Sequence, residues 1–219
     1  MSADESSLCL YDSDQREAVE AHIACFFGDA DSVFHEVYSP DIQVEVAIVE
    51  PTDETPWVAL VTTGAGARPM AIPPELVDEV PDRAEYLICL PPDWHFNQDE
   101  ATGEVPEAQY WPIRLLKDLA RLPLESGGWL AAGHTVDWGA AFSSETALSG
   151  VLLLGPYQFE EGAEAVELPD GELVAFYEVV PLYSDEVRFA DEHGVDELLD
   201  RLEDAVGDFV NENRPDVCL

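Results

Sequence analysis

The chain has 219 residues, of which 47% are hydrophobic, and this apolar content suits one large domain. Its 47 acidic residues outnumber the 9 basic ones, so the formal net charge at pH 7 is −38. Direct binding to nucleic acid or to an anionic membrane surface is therefore disfavoured, because both carry the same sign of charge. No apolar stretch is long enough to span a bilayer and the N-terminus lacks signal-peptide features, so we expect a cytoplasmic protein.

The acidity itself has two explanations at this stage. A solvated acidic surface is typical of proteins from salt-adapted organisms, and the near absence of lysine, with only Lys117 present, agrees with it. The other explanation is a surface shaped for a basic protein partner, such as a toxin or a nucleic-acid-binding protein.

The first half of the chain predicts one helix followed by three strands. Apolar residues recur at helical spacing over 14–27, where Asp12 or Ser13 can cap the start and Gly28 the end. Apolar, partly β-branched runs predict strands at 42–50, 57–64 and 85–91. Segments rich in breakers or polar residues predict loops at 64–74 and 91–109.

The second half predicts one helix, four extended segments and two closing helices. A 3.6-residue period predicts a helix over 111–126 with Pro112 in its first turn. The extended segments are expected at 128–138, at 149–156 and, as a hairpin turning at Pro-Asp-Gly, within 163–183. The closing helices are expected at 184–194 and 195–210.

This order predicts an α/β (α+β) fold, a mixed and largely antiparallel sheet with helices packed on it. Neither an internal repeat nor a linker divides the chain, so residues 1–219 are expected to form a single domain.

Known chemical motifs are weak in this sequence. The stretch GAGAR at 64–68 lacks the third glycine of a dinucleotide fingerprint, so Gly64 and Gly66 are expected to serve turn geometry. His22 and Cys25 have the spacing of a zinc-binding pair on a helix, but no second pair accompanies them. We therefore expect no metal and no cofactor.

The stretch GHTVDWG at 133–139 is the one candidate for catalysis. In an extended segment, His134 and Asp137 point to opposite faces and are poorly placed to share a proton. A hydrogen-bonding histidine after a glycine bend is therefore expected. The alternative that stays open is an uncharacterised hydrolase or transferase that uses His134 with nearby carboxylates.

Three segments together resemble the suppressor of fused family. They are VTTGAGARPMAIPP with RAEYLICLPPDW, then WPIRLLKDLARLPLESGGWLAAGHTVDW, and finally the run from GVLLLGPYQFEEG to DELLDRL. The similarity extends in order from about residue 30 to about residue 205. The resemblance implies a non-enzymatic domain that binds a protein partner: animal members sequester a transcription factor by gripping an extended peptide, and stand-alone bacterial versions resemble immunity proteins.

The resemblance also implies where a partner would bind. Animal members carry an acid after the glycine of the peptide-gripping segment and an aromatic residue after the motif LAR. Here these positions hold His134 and Leu122, so the same peptide is not expected. The binding residues implied by analogy are His134, Asp137, Trp138 and Leu122.

A second group of candidates follows from residue type alone. Trp94, with Asp93 and His95, lies in the long predicted loop, and large aromatic side chains in exposed loops are typical binding anchors. The alternative for each tryptophan is packing against the sheet.

Overall fold

A computed structural model describes residues 8–99 and 102–219 of the protein. Within them the chain forms four α-helices, α1 to α4, at Ser13–Phe26, Glu107–Ser126, Ser184–His193 and Val195–Leu202. It forms eight β-strands, β1 to β8, at Ser32–Phe34, Glu45–Val49, Val58–Thr63, Arg83–Leu90, Thr135–Asp137, Gly150–Leu154, Ala165–Glu167 and Leu173–Leu182. None of the described helices is long and apolar enough to cross a bilayer.

The strands form one mixed sheet in the order β1-β2-β3-β4-β8-β6-β5, and β7 pairs with the first part of β8. Only the central pair, β4 with β8, is parallel, and the other described pairs are antiparallel. The predicted fold class is confirmed. The two short strands β1 and β5 lie at opposite edges of this sheet.

Helices cover both faces of the sheet because side chains alternate along its strands. On one face, α2 places Trp111, Leu115 and Leu119 in the main core, and none of the three is exposed. On the other face, α1 packs on Phe176 of β8, while α3 and α4 pack on Leu182 farther along the same strand. Consecutive residues of β8 thus pack on opposite faces of the sheet, as Phe176 and Tyr177 do.

Helix α2 begins at Glu107, one turn earlier than the apolar period predicted, so the placement of Pro112 in the first turn was wrong. The added turn, residues 107–110, lies before the apolar period, and the carbonyl of Pro106 accepts the N–H groups of Gln109 and Tyr110. Fully buried Trp111 then fixes the helix on the sheet. Packing therefore holds a helix that contains proline, although proline lowers helix propensity.

Other boundaries also differ from the prediction. Helix α4 ends at Leu202, eight residues early, because the chain turns there and the N–H of Val210 pairs instead with the carbonyl of Cys89. Only Thr135–Asp137 of the predicted extended segment 128–138 is a strand. The edge strand β1 was not predicted, since three residues are too short for a visible alternation.

Candidate functional site

The GHTVDWG stretch forms the edge strand β5 and the bend that leads into it. Gly133 has a φ of +84°, its N–H donates to the carbonyl of Leu153 at 2.7 Å, and the N–H of Leu153 donates to the carbonyl of His134 at 2.9 Å. This two-against-one pattern is a glycine β-bulge, which re-aims the residues that follow it. The predicted glycine bend before His134 is present.

The outer side of β5 presents free backbone groups. Val136 lies opposite Val151, and the N–H of Trp138 donates to the carbonyl of Ser149 at 2.9 Å. Because hydrogen-bonded positions alternate in an antiparallel pair, the N–H and C=O groups of Thr135 and Asp137 point away from β6. No strand of the described residues pairs with that side. Such an edge is a template for an added strand.

His134 and Asp137 have separate partners. The His134 ring lies edge-on to Trp129, with 4.4 Å between ring centroids, and burial lowers the pKa of the imidazole. The Asp137 carboxylate accepts hydrogen bonds from the Ser184 hydroxyl at 2.5 Å and from the N–H of Gly139 at 2.8 Å. In this geometry the two side chains do not form an acid–base pair.

Trp138 and Leu122 are half-buried beside the main core. The Trp138 ring lies 5.7 Å from Phe142, which stacks on Trp111 at 5.2 Å, and Leu122 packs against the same core. Each therefore has a structural contact and a partly exposed surface. His134, Asp137 and Trp138 lie on or next to β5, as their sequence positions require.

Asp93, Trp94 and His95 lie near the other edge of the sheet. Trp94 and His95 line a groove with Phe34 of β1, while Asp93 is exposed. The Trp94 indole donates to the carbonyl of Gln109 at 3.2 Å, and its ring is 6.1 Å from Trp111, so it packs as a structural residue would. The structure thus divides the predicted binding residues between two places.

The glycines of GAGAR enclose a carboxylate of the chain itself, which sequence reasoning missed. Glu85, on β4, is fully buried. It accepts hydrogen bonds from the hydroxyls of Thr62 and Tyr11 and from the N–H groups of Gly64, Ala65 and Gly66. Burial raises the pKa of Glu85, and these donors oppose the rise. Backbone groups that could have held a phosphate are therefore already engaged.

The proposed role of these glycines in turn geometry agrees with the space around them. Gly64 has a φ of +105°, and a Cβ atom there would lie 2.1 Å from the carbonyl oxygen of Gln43. A Cβ on Gly66 would lie 2.4 Å from the Tyr11 hydroxyl. The glycines permit the close approach of backbone that closes the carboxylate nest.

His22 and Cys25 are not arranged as a metal-binding pair. The imidazole of His22 is buried, with Nε2 3.1 Å from the carbonyl oxygen of Ala163, whereas Cys25 is exposed. Within residues 8–99 and 102–219, no cluster of three or more side chains that could hold a metal ion occurs.

Comparison with known proteins identifies the family. Residues 40–215 match the family model of the suppressor of fused protein. The chain belongs to the suppressor of fused family. This confirms the resemblance inferred from the ordered motifs. One solved structure of the family is a complex of Sufu with another protein, Fu, and no curated protein sequence shows significant similarity to the chain.

Solved structures of the family share the fold. A suppressor of fused homolog from Neisseria gonorrhoeae is 21% identical with a TM-score of 0.65, covering 94% of this chain and 98% of its own. Sufu from a Sufu–Fu complex is 16% identical with a TM-score of 0.64, covering 93% of this chain and 92% of its own.

Drosophila Suppressor of Fused is also 16% identical, with a TM-score of 0.62 over 93% of this chain. The match covers 51% of the Drosophila chain, so this protein spans about half of that relative.

Proposed function

We propose that this protein sequesters a protein partner by accepting an extended segment of it as an added strand at the outer edge of β5. The observation that carries the proposal is the pair of outward-facing backbone groups at Thr135 and Asp137, next to a glycine bulge. The proposed side-chain contacts are His134, Asp137, Trp138 and Leu122. Asp93, Trp94 and His95 would contact a partner only in a second region, near β1.

The net charge of −38 supports a basic partner. An acidic surface attracts a basic protein over a Debye length of about 8–10 Å, which raises the association rate and discourages acidic competitors. More specifically, we propose that the protein is an immunity protein and that its partner is a basic toxin. The other candidate for the partner is a basic nucleic-acid-binding protein. The four cysteines are free, as expected in the cytoplasm, where we place this function.

Replacing Thr135 with proline tests strand addition directly. Proline removes the outward N–H of residue 135 and leaves the ladder with β6 intact, because that N–H does not face β6. Captures of the partner from host lysate, at low and high salt, are compared for the wild type, Thr135→Pro and the matched control Thr135→Val, which keeps the N–H. We expect one basic protein to bind the wild type and the control at low salt only, and Thr135→Pro to lose at least tenfold in affinity.

Circular dichroism and thermal melting show whether Thr135→Pro is folded. A folded Thr135→Pro variant that retains the partner as well as Thr135→Val would contradict strand addition. A partner held equally at high salt would contradict the proposed charge complementarity.

A further inference from the structure

An open pocket lies between the loop that precedes β4 and the hairpin that joins β7 to β8. It has a volume of about 420 Å³, and its lining includes the apolar side chains of Met70, Ile72, Val77 and Leu173. Val77 is 60% exposed and Leu173 is 47% exposed. We call this the Met70 pocket, lined by residues 70–82 and 171–173. Its lining thus leaves aliphatic side chains in contact with water, which is typical of binding surfaces.

Acidic side chains also line the Met70 pocket, and we call them the rim carboxylates. Four carboxylates line it, those of Asp78, Glu79, Asp82 and Glu172. Among the described residues none of these carboxylates forms an ion pair. The adjacent Arg83 forms no ion pair with them, and its guanidinium donates instead to the carbonyls of Gly66 and Ala67 at 2.8 and 2.9 Å.

The walls of the Met70 pocket are held in place by the main chain. The N–H of Met70 donates to the carbonyl of Asp82 at 2.6 Å, and the N–H of Val80 donates to the carbonyl of Leu76 at 2.9 Å. The Met70 sulfur accepts the N–H of Leu130 at 3.4 Å. A pocket fixed in this way loses little conformational entropy when it is filled.

We propose that the Met70 pocket receives an arginine side chain of the protein partner. The three methylenes of arginine would cover the exposed apolar side chains of the lining, as long charged side chains do on apolar surfaces. Its planar guanidinium would then meet the unpaired rim carboxylates with several parallel hydrogen bonds, which a compact ammonium group cannot match. The acidic and apolar side chains of the lining together favour arginine as the occupant.

This inference deepens the proposed function and rests on it for the identity of the partner as a protein. The segment 129–134 joins the two regions: Leu130 binds Met70, and the neighbouring Trp129 packs on His134 before β5. Arginine in the pocket would give the partner a side-chain contact in addition to the backbone contacts at β5.

The direct test uses N-acetyl-arginine-N-methylamide as the probe and methyl NMR of the full chain. We expect saturable shift changes at the methyl groups of Met70, Val77 and Leu173. The citrulline analogue, which has the same shape without the charge, should bind at least fivefold more weakly. The lysine analogue should also bind more weakly.

Two triple variants with the same change in net charge make the test specific. Asp78→Asn/Glu79→Gln/Asp82→Asn removes three rim charges and should weaken arginine binding at least fivefold. The control, Asp196→Asn/Glu197→Gln/Asp200→Asn, removes three exposed charges of α4 and should bind the probe within twofold of the wild type.

Three results would overturn the arginine pocket: shift changes spread over the acidic surface, equal binding of citrulline or lysine, or unchanged binding by the rim variant. The Thr135 variants separate this failure from failure of the proposed function. Loss of partner by Thr135→Pro without arginine binding would refute the pocket alone. Arginine binding in the pocket, with partner capture indifferent to Thr135→Pro, would refute strand addition alone.

Discussion

At the scale of single residues, three carboxylates that are buried or half-buried differ in ways that the composition does not show. The 47 acidic residues are too many to rank by sequence, yet Glu85, Glu178 and Glu186 lie within the fold in three different environments. Glu85 has five hydrogen-bond donors, and Glu186 is paired with Arg214. Within the described part of the chain, Glu178 accepts a hydrogen bond from the side-chain amide of Gln158 at 3.0 Å. Their roles follow from these partners.

Glu178 gives a prediction for the pH dependence of stability. Burial, with a smaller contribution from the charge of Asp208, raises the pKa of Glu178 from 4.5 to about 7. Between these values the folded state binds a proton that the unfolded state releases, so this group's contribution to stability is lost as the pH rises from about 5 to 7. Glu178→Gln should remove that loss and be more stable than the wild type at pH 8 by about 2 kcal/mol.

Urea unfolding at pH 5, 6, 7 and 8 measures this effect. Glu172→Gln, at an exposed position, is the control and should follow the wild type at every pH. If Glu178→Gln and the wild type lose stability in parallel between pH 5 and 8, the carboxyl of Glu178 does not titrate in the fold as described.

At the scale of elements, the segment after α4 shows why a helical pattern can stop short. Val206 and Val210 continue the apolar pattern of α4, but Val206 packs near α4 and Val210 joins the main core. The chain past Leu202 is instead tied down by Arg214, whose guanidinium binds both oxygens of the buried Glu186 on α3 and the carbonyl of Pro181. Tertiary contacts therefore take the place of the two further helical turns that the sequence predicted for residues 203–210.

Removal of this cation should detach the segment. Arg214→Met leaves the fully buried Glu186 without its partner, which should cost about 3–5 kcal/mol of unfolding free energy in chemical denaturation. The double variant Glu186→Gln/Arg214→Met removes the uncompensated charge and should recover a large part of that loss. A single variant as stable as the wild type would show that the Arg214–Glu186 ion pair does not stabilise the fold.

At the scale of the whole molecule, the charge of −38 opposes the compact state. The structure contains few ion pairs to offset it, and several of these, such as Arg16 with Glu20, are exposed. We therefore expect the melting temperature to rise when NaCl is increased from about 0.05 M to about 1 M, as screening shortens from about 14 Å to about 3 Å. Calorimetry at several salt concentrations measures this rise.

The salt series also separates the two explanations of the acidity. A large rise in melting temperature, with loose structure at low salt, is the behaviour of a salt-adapted surface. If the protein is stable at low salt and its melting temperature changes little with NaCl, the self-repulsion expected here is contradicted. The acidity would then be explained by a basic partner. That residues 1–219 form a single domain stays a prediction.

The sequence by itself determined the fold class, the family and nearly every element. Hydrophobic periodicity located the helices and seven of the eight strands, since burial of an apolar face depends on local spacing. The motifs around GAGAR and GHTVDWG identified the family. The sequence also suggested His134, Asp137 and Trp138 as binding residues, and this role remains a proposal.

Only the tertiary structure decided what these residues face. Strand order placed β5 at an edge and left Thr135 and Asp137 with outward backbone groups, while Trp94 and His95 came to the other edge. It also buried Glu85 among the glycines of GAGAR and brought residues 70–82 beside the β7–β8 turn. Edges, nests and pockets form between segments distant in the chain, so no local spacing can specify them.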